Sequence, residues 1–323
     1  MISIKDDYIM DKDLEYLAFI NDQAYLKGKK LTPFITQLRS LEAFFESVKL
    51  SGDIDLNSKE NIPKELIPII KLYSKLNFGQ YHSEIERLIK TGVDIIPFYS
   101  DNYPKKLKDI ENPPLLIYYK GKWINFDNSI AIVGTRNLSH HGHKKARDIS
   151  SSLAEKGFTI ISGLARGTDT EAHCGALDVC GRTIAVLAGH IEDVFPRENE
   201  KLAKDIQESG AIISEISTLK QVHKGRFIER NRLISGISEC LIVIEMNGRS
   251  GGTLQQINWA NKQGKAIFVL NPLKKDKEAI QGFRECIKLG AMPLDSEKEV
   301  LNYLKTRSRF LTLDYFIAKD LTE

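Results

Sequence analysis

Three short glycine-rich turns each follow a run of apolar, mostly β-branched residues, and each has the composition of an anion-binding loop. The first is Gly134-Thr135-Arg136, the second spans residues 162–169, and the third spans residues 247–253. Glycines in such turns expose backbone N–H groups where a helix begins, which is an arrangement that binds phosphate. One turn of this kind is commonplace, but three in alternating β/α units predict an anion site where the turns meet.

A basic segment, residues 220–232, lies between the second and third turns. Its charged residues are Lys220, Lys224, Arg226, Glu229, Arg230 and Arg232. Phe227 stands three residues after Lys224, so a helix would present both on one side. Basic clusters of this kind are usually solvated surface, and a minority of them face an anion. Phe227 could equally belong to the core, and Arg230 and Arg232 could form buried ion pairs with Asp169 or Glu215.

Other kinds of chemistry lack their motifs in this chain. Gly134 and Gly142 do not have the spacing of the dinucleotide fingerprint, Ser162 is not in a GxSxG elbow, and no Walker lysine or HExxH motif occurs. Asp169 and His173 share a helix face, but without a third ligand nearby they are interpreted as a structural pair. Thr168 or Asp169 could instead cap the helix. We therefore predict no catalytic residues, no metal and no cofactor.

Composition sets the class of protein. The chain has 323 residues, 42% hydrophobic and 28% charged, with a net charge of +3. These values are typical of a globular protein of about two domains. The four cysteines are scattered, which argues against a zinc site or a disulfide framework. No apolar run is long enough to span a membrane and no secretory signal is evident, so we expect a cytoplasmic protein without membrane contact.

Two kinds of pattern divide the chain. Residues 1–80 have helical spacing, whereas from residue 130 short β-branched runs alternate with amphipathic segments of helical length. The predicted strands are 93–97, 115–119, 130–133, 159–161, 183–187, 211–213, 240–244 and 266–270, and the later predicted helices are 81–90, 143–156, 168–179, 199–209, 227–236 and 253–263. This alternation predicts an α/β fold whose mostly parallel sheet has helices on both faces and binds ligands at the carboxyl ends of its strands.

Several separated motifs, in order, resemble those of the DprA/Smf family of DNA-processing proteins. They are IAIVGTR, ISGLARGTDTEAHCGAL, GRTIAVLAGHIEDVFP and FIERNRLISGISECLIVIE, and the resemblance covers roughly residues 85–305. It implies an extended Rossmann-like domain over residues 81–305 behind the small helical domain. It also implies a homodimer without enzymatic turnover that binds single-stranded DNA and assists loading of a RecA-type recombinase in natural transformation or recombination.

The resemblance also assigns residues to DNA binding. It places the family's DNA-contacting arginine at Arg136, its basic and aromatic pair at Lys224 and Phe227, and its Arg-Asn-Arg motif at residues 230–232. The predicted DNA-contacting set is Gly134, Thr135, Arg136, Ser162, Gly163, Arg166, Gly167, Lys224, Phe227, Arg230, Asn231, Arg232, Ser250, Gly251, Gly252 and Thr253. The winged helix of many members is expected to be missing, because residues 306–323 form only a short tail.

Two alternative functions use the same predicted fold. A phosphoribohydrolase would carry a glutamate where Gln256 stands after Gly252-Thr253, and a neutral amide cannot act as a general base. A sensor of small nucleotides would use the same three turns as its pocket. The length of oligonucleotide that binds best distinguishes such a closed pocket from an open DNA groove.

Overall fold

The computed structural model describes residues 13–23, 28–38, 40–50, 62–73, 78–122, 125–247, 251–274 and 276–307. Its strands are β1 (Asp94–Pro97), β2 (Leu116–Gly121), β3 (Ser129–Val133), β4 (Thr159–Ser162), β5 (Thr183–Val186), β6 (Ala211–Ser214), β7 (Cys240–Val243), β8 (Ala266–Leu270) and β9 (Met292–Leu294). Its helices are α1 (Asp13–Gln23), α2 (Gly28–Ile35), α3 (Leu41–Leu50), α4 (Ile67–Tyr73), α5 (Gly79–Lys90), α6 (Lys105–Lys108), α7 (His140–Glu155), α8 (Thr168–Asp178), α9 (Glu200–Ser209), α10 (Arg226–Glu229), α11 (Asn231–Ile237), α12 (Gly252–Lys262) and α13 (Lys277–Lys288). Residues 297–307 are also helical.

The strands form one sheet in the order β1-β2-β6-β5-β4-β3-β7-β8-β9. Seven of them, from β6 to β9 in that order, are parallel to one another. β2 runs antiparallel to β6, and β1 runs antiparallel to β2. The predicted α/β class with a mostly parallel, Rossmann-like sheet is confirmed.

The strand order reverses at β3, because successive strands are added on one side of β3 up to β6 and on its other side from β7 onwards. From β3 the chain proceeds through β4 and β5 to β6 on one side, and then returns to place β7 on the other side of β3. The helices that follow β3 and β7 therefore diverge, which leaves a crevice at the carboxyl ends of these two strands. Two of the three glycine-rich turns, those after β3 and β7, lie at this point.

The sheet is buried on both faces, which explains why its strands are continuous apolar runs in the sequence. Side chains alternate along β3, with Ile130 and Ile132 in one apolar cluster and Ala131 and Val133 in the other. This period of two is the geometry of a pleated strand, in which neighbours point to opposite faces. Helices must therefore cover both sides of the sheet.

Helix α1 attaches the helical N-terminal part to the antiparallel end of the sheet. The amide of Asn21 donates to the carbonyl of Glu215 at 2.9 Å, and its oxygen accepts from the N–H of Leu115 at 3.0 Å. One apolar cluster also extends from this helix into the sheet. The helical character predicted for this part is confirmed where it is described, and a domain boundary at residue 80 stays a prediction.

Four features differ from the sequence prediction. The helix expected over residues 227–236 is divided at Arg230 into α10 and α11, and the connector expected over residues 102–114 contains the single turn α6. Helix α13 and strand β9 were not predicted. Helix α13 lies directly against the chain leaving β7, since a Cβ at Gly282 would be 1.6 Å from the carbonyl oxygen of Met246.

No described helix combines the length and hydrophobicity needed to cross a bilayer. The described residues likewise contain no group of three His, Cys, Asp or Glu side chains placed to hold a metal ion. The predicted tail falls outside the described residues from residue 308 onwards.

Candidate nucleic-acid interface

A cleft of about 700 Å³ opens at the crevice between β3 and β7. It is lined by turns that follow strands of the parallel sheet and by the basic segment. The lining residues are Val133, Gly134, Thr135, Arg136, Ala165, Asp169, Phe195, Lys224, Phe227, Ile228, Arg230, Asn231, Ile234, Met246, Asn247, Gly251, Gly252, Thr253 and Gln256. Most of the predicted DNA-contacting residues are therefore brought together in one place.

Three cations and one carboxylate line this cleft, so its formal charge is +2. Arg136 and Lys224 are exposed. The guanidinium of Arg136 forms no hydrogen bond or ion pair with any residue within the described ranges. The ammonium group of Lys224 likewise has no partner among the described residues, so neither side chain has to leave such a partner to bind an anion in the cleft.

Arg230 is a buried cation in the floor of the cleft. Its Nη1 donates to the carbonyl of Gly163 at 2.8 Å and to the carbonyl of Val186. Burial, together with the nearby charge of Arg136, lowers the pKa of Arg230 to about 10, while the attraction of Asp169 opposes this shift. Arg230 therefore remains charged at neutral pH and contributes a fixed positive charge to the floor of the cleft.

The second turn does not form the phosphate cradle that its sequence predicts. Oδ2 of Asp169 accepts the N–H groups of Gly163 at 3.1 Å and Ala165 at 3.2 Å, so these two donors already have an anionic partner. Burial raises the pKa of this carboxyl, although the charge of Arg230 and the two backbone donors oppose the shift. Asp169 is the second residue of helix α8, and its side chain reaches back to the preceding turn instead of capping the helix.

The second turn instead supports the first. The hydroxyl of Thr168 donates to the carbonyl of Thr135 at 3.1 Å, and the backbone N–H of Thr168 donates to the same oxygen at 3.2 Å. Gly167 has a φ of +73°, and a Cβ there would lie 2.6 Å from the carbonyl oxygens of Thr135 and Arg136. A glycine is required by both the backbone conformation and the close approach of the turn that carries Arg136.

Five described members of the predicted set do not line the cleft: Gly163 and Gly167 of the second turn, and Ser162, Arg166 and Arg232. The hydroxyl of Ser162 is buried and donates to the carbonyl of Ile132 at 2.6 Å. Arg166 pairs with Glu198 through two hydrogen bonds of 2.6 Å on the surface. Arg232, which is 1% exposed, forms a two-pronged ion pair with Glu215 at 2.8 and 2.5 Å. Of the two roles considered for Arg232, DNA contact or a buried ion pair, the structure contains the buried ion pair, with Glu215 as the partner.

The third turn contributes Gly251, Gly252 and Thr253 to the wall, whereas Ser250 lies outside the described residues. The side-chain amide of Asn231 donates to the carbonyl of Gly252 at 3.2 Å. The buried amide of Gln256 donates in turn to the carbonyl of Asn231 at 2.9 Å. Asn231 and Gln256 thus hold α11 against the start of α12, and both positions act through backbone hydrogen bonds.

Two aromatic side chains stand on one wall of the cleft. Phe227 is half-buried there. Its ring meets that of Phe195 edge to face, with centroids 5.7 Å apart and planes at 72°. Sequence reasoning selected Phe227 but not Phe195, although Phe195 belongs to the quoted motif that ends in FP. No local pattern distinguishes an exposed aromatic on a loop from one in the core.

His173 lies in the protein interior, where its ring is hydrogen-bonded to a neighbouring strand. Its side chain is fully buried, and Nδ1 lies 2.7 Å from the hydroxyl oxygen of Thr183. That hydroxyl donates to the carbonyl of Ile160, so it accepts the hydrogen bond from Nδ1. Burial lowers the pKa of His173 to about 3. The expected structural role fits this environment, with Thr183 as the partner found instead of Asp169.

The part of the chain that forms this cleft is similar to a known protein family. The model of the family described as DNA recombination-mediator protein A matches residues 94–305. The chain belongs to that family. The range matched to DNA recombination-mediator protein A includes all the described residues that line the cleft.

Individual members of the family are similar over different lengths. DNA processing protein DprA of Bacillus subtilis is 30% identical over 282 residues, which is 85% of this chain and 94% of that protein. Protein Smf of Synechocystis is 36% identical over 244 residues, which is 69% of this chain and 61% of that protein. The chain thus spans less than two thirds of the Synechocystis relative.

Two solved structures of the family are also similar. That of DNA processing protein A from Streptococcus pneumoniae has a TM-score of 0.73 and 25% identity, covering 89% of this chain and 97% of that one. That of DNA processing protein A from Helicobacter pylori has a TM-score of 0.59 and 27% identity, covering 67% of this chain and 96% of that one. The latter is described as giving insight into that protein's single-stranded DNA binding mode.

Proposed function

We propose that this chain binds single-stranded DNA in the cleft between β3 and β7. The observation that carries the proposal is the combination, on one cleft, of two exposed cations that have no side-chain partner among the described residues and two aromatic rings, one exposed and one half-buried. Arg136 and Lys224 are placed to bind phosphates, and Phe227 offers a ring to a base. Single strands are held in this way, by a cationic groove and aromatic stacking platforms, with little dependence on base sequence.

The family supports a wider role for this binding. We propose that the protein acts as a homodimer in the cytoplasm and assists loading of a RecA-type recombinase during DNA uptake or recombination. The DNA-processing names of its relatives, and the single-strand binding described for the Helicobacter pylori protein, agree with this role. A mass near twice 36.6 kDa by light scattering at micromolar concentration is the result expected for the dimer, and a monomer mass would count against it.

The proposed role is non-enzymatic. Gln256 stands where a phosphoribohydrolase would need a glutamate, and its amide is buried and hydrogen-bonded to the carbonyl of Asn231. The carboxylate of Asp169 is engaged with two backbone donors. Neither group is placed as a free general base, which must reach the proton it removes.

The arrangement of the second turn favours an oligonucleotide over a single nucleotide. Turns that bind the phosphates of a mononucleotide do so through free backbone N–H groups. The N–H groups of Gly163 and Ala165 instead face Asp169, and phosphate recognition is left to side chains spread along the cleft. Such a surface gains contacts as the strand lengthens.

The proposal is tested by titrating labelled single-stranded oligonucleotides of increasing length against salt, with duplex DNA as competitor. The two exposed cleft cations predict a slope of about −1.4 in log affinity against log salt, at about −0.7 for each phosphate contacted. Affinity is expected to rise with length and to exceed that for duplex. Saturation by a mononucleotide would favour the sensor function, and absence of binding at low salt would refute the proposal.

A further inference from the structure

Phe195 has the most exposed of the large apolar side chains in the described part of the chain, at 61%. Single exposed apolar residues are common and need no explanation. Phe195 differs because it lines the cleft that holds Arg136 and Lys224, and because Ile228, itself 44% exposed, lies on the same surface. An apolar surface thus lies beside the two exposed cations of the cleft.

The loop after β5 holds Phe195 in this position. Ile191 and Pro196, on either side of it in the sequence, are buried. The buried amide of Asn199 then donates to the carbonyl of Leu164 at 2.9 Å and to the hydroxyl of Thr170 at 3.0 Å. The backbone is therefore anchored on both sides of an exposed ring. A ring presented in this way loses little further conformational freedom when it binds a ligand.

The two rings of the cleft differ in what they offer. Phe227 is half-buried, and Phe195 meets it nearly at right angles. The exposed area of Phe195 therefore extends the apolar wall outward from Phe227. A flat aromatic partner with a phosphate on either side, as in a single-stranded nucleotide chain, matches both the apolar wall and the neighbouring cations.

We propose that Phe195 stacks against a base of the bound strand and thereby selects single-stranded over double-stranded DNA. This inference rests on the proposed function. In a duplex both faces of each base are already covered by neighbouring pairs, so stacking on a protein ring requires the base to be unstacked first. The cations bind the phosphates of either form, whereas Phe195 gains contact only with the single strand.

The experiment compares Phe195→Ala with the unchanged protein on single-stranded and duplex DNA across a range of salt concentrations. Loss of one stacked base is expected to lower single-strand affinity by about 5- to 100-fold. The salt slope should stay the same, because no phosphate contact is removed. Duplex affinity should change little, so the ratio of single-strand to duplex affinity falls. Phe195→Tyr should retain binding, and Tyr99→Ala removes an exposed aromatic side chain outside the cleft as a matched control.

An oligonucleotide of abasic sugar-phosphates separates stacking from a change in protein structure. The effect of Phe195→Ala should disappear on this backbone. Equal binding by the variant and the unchanged protein on ordinary DNA would overturn the inference while leaving the proposed function intact. An equal loss on ordinary and abasic strands would also overturn it. If the unchanged protein binds no single strand at all, the proposed function itself fails.

Discussion

At the scale of single residues, cations that look alike in the sequence have different surroundings in the structure. Arg136 and Lys224 are exposed on the cleft, Arg230 is buried against backbone carbonyls, and Arg232 is buried against Glu215. The residue types were sufficient to predict an anion site. They were not sufficient to predict which arginine faces it, because orientation depends on partners that are distant in the sequence.

The exposed cations should determine the salt dependence of DNA binding. Arg136→Gln and Lys224→Gln are each expected to weaken single-strand binding and to reduce the salt slope by about 0.7, since each removes one phosphate contact. Lys201→Gln, which changes the same charge on the exposed surface of α9, serves as the control. Unchanged slopes in both cleft variants would contradict the assignment of the groove. Fluorescence anisotropy at several salt concentrations provides the measurement.

The buried pair of Arg232 and Glu215 should affect stability instead. Arg232→Met leaves the Glu215 carboxylate without its two guanidinium bonds inside the protein, and this is expected to cost about 3–5 kcal/mol of unfolding free energy. The double variant Arg232→Met, Glu215→Leu should recover part of that loss, because no charge is left unpaired. Urea unfolding measures both. A loss of DNA affinity in Arg232→Met without a loss of stability would show that the residue contacts DNA.

At the scale of elements, strands β1 to β8 were predicted closely because each is a short apolar run, whereas β9 was not predicted. The position of the site at the carboxyl ends of the strands was also predictable. The order of the strands was not, since nothing within β7 indicates that it lies beside β3. The role of the second turn was misassigned because Asp169 has the sequence position of a helix cap, while its side chain binds the preceding turn.

The second turn should act on DNA through the turn that it supports. Gly167→Ala would place a Cβ against the carbonyls of Thr135 and Arg136, and it is expected to lower both stability and single-strand affinity. Gly157→Ala is a matched control, because Gly157 also has a positive φ, of +85°, but has no atom within 4 Å of the added Cβ. The control should lose only about 1 kcal/mol of stability, from the backbone conformation. Thermal melts and anisotropy distinguish the two variants, and equal DNA affinities would argue against the supporting role.

At the scale of the whole molecule, the buried imidazole of His173 should make folding sensitive to acid. Well above pH 6.5, His173 is neutral in both the folded and the unfolded chain. As the pH falls from 6.5 towards 3, the unfolded chain binds a proton that the folded chain excludes, because burial lowers the pKa of His173 to about 3. Stability should therefore decrease by at most about 1.4 kcal/mol for each pH unit.

His173→Asn isolates this effect, since an asparagine amide can still donate to the hydroxyl of Thr183. The unfolding free energy of the variant, measured in urea at pH 7, 6, 5 and 4, should show a smaller loss on acidification. The comparison is needed because burial raises the pKa of Asp22 to about 6, which stabilises the folded state as the pH falls over part of the same range. Parallel pH profiles for variant and unchanged protein would contradict the prediction.

The contact between Gly282 and Met246 has a mechanical consequence. A helix on the outside of the sheet touches the backbone of a residue that lines the cleft, at a distance that admits no side chain between them. Packed interiors transmit displacement because they contain no free space to absorb it. The wall of the cleft at Met246 and helix α13 are therefore expected to move together as one rigid unit. We expect any displacement of the wall at Met246 on DNA binding to be transmitted to α13.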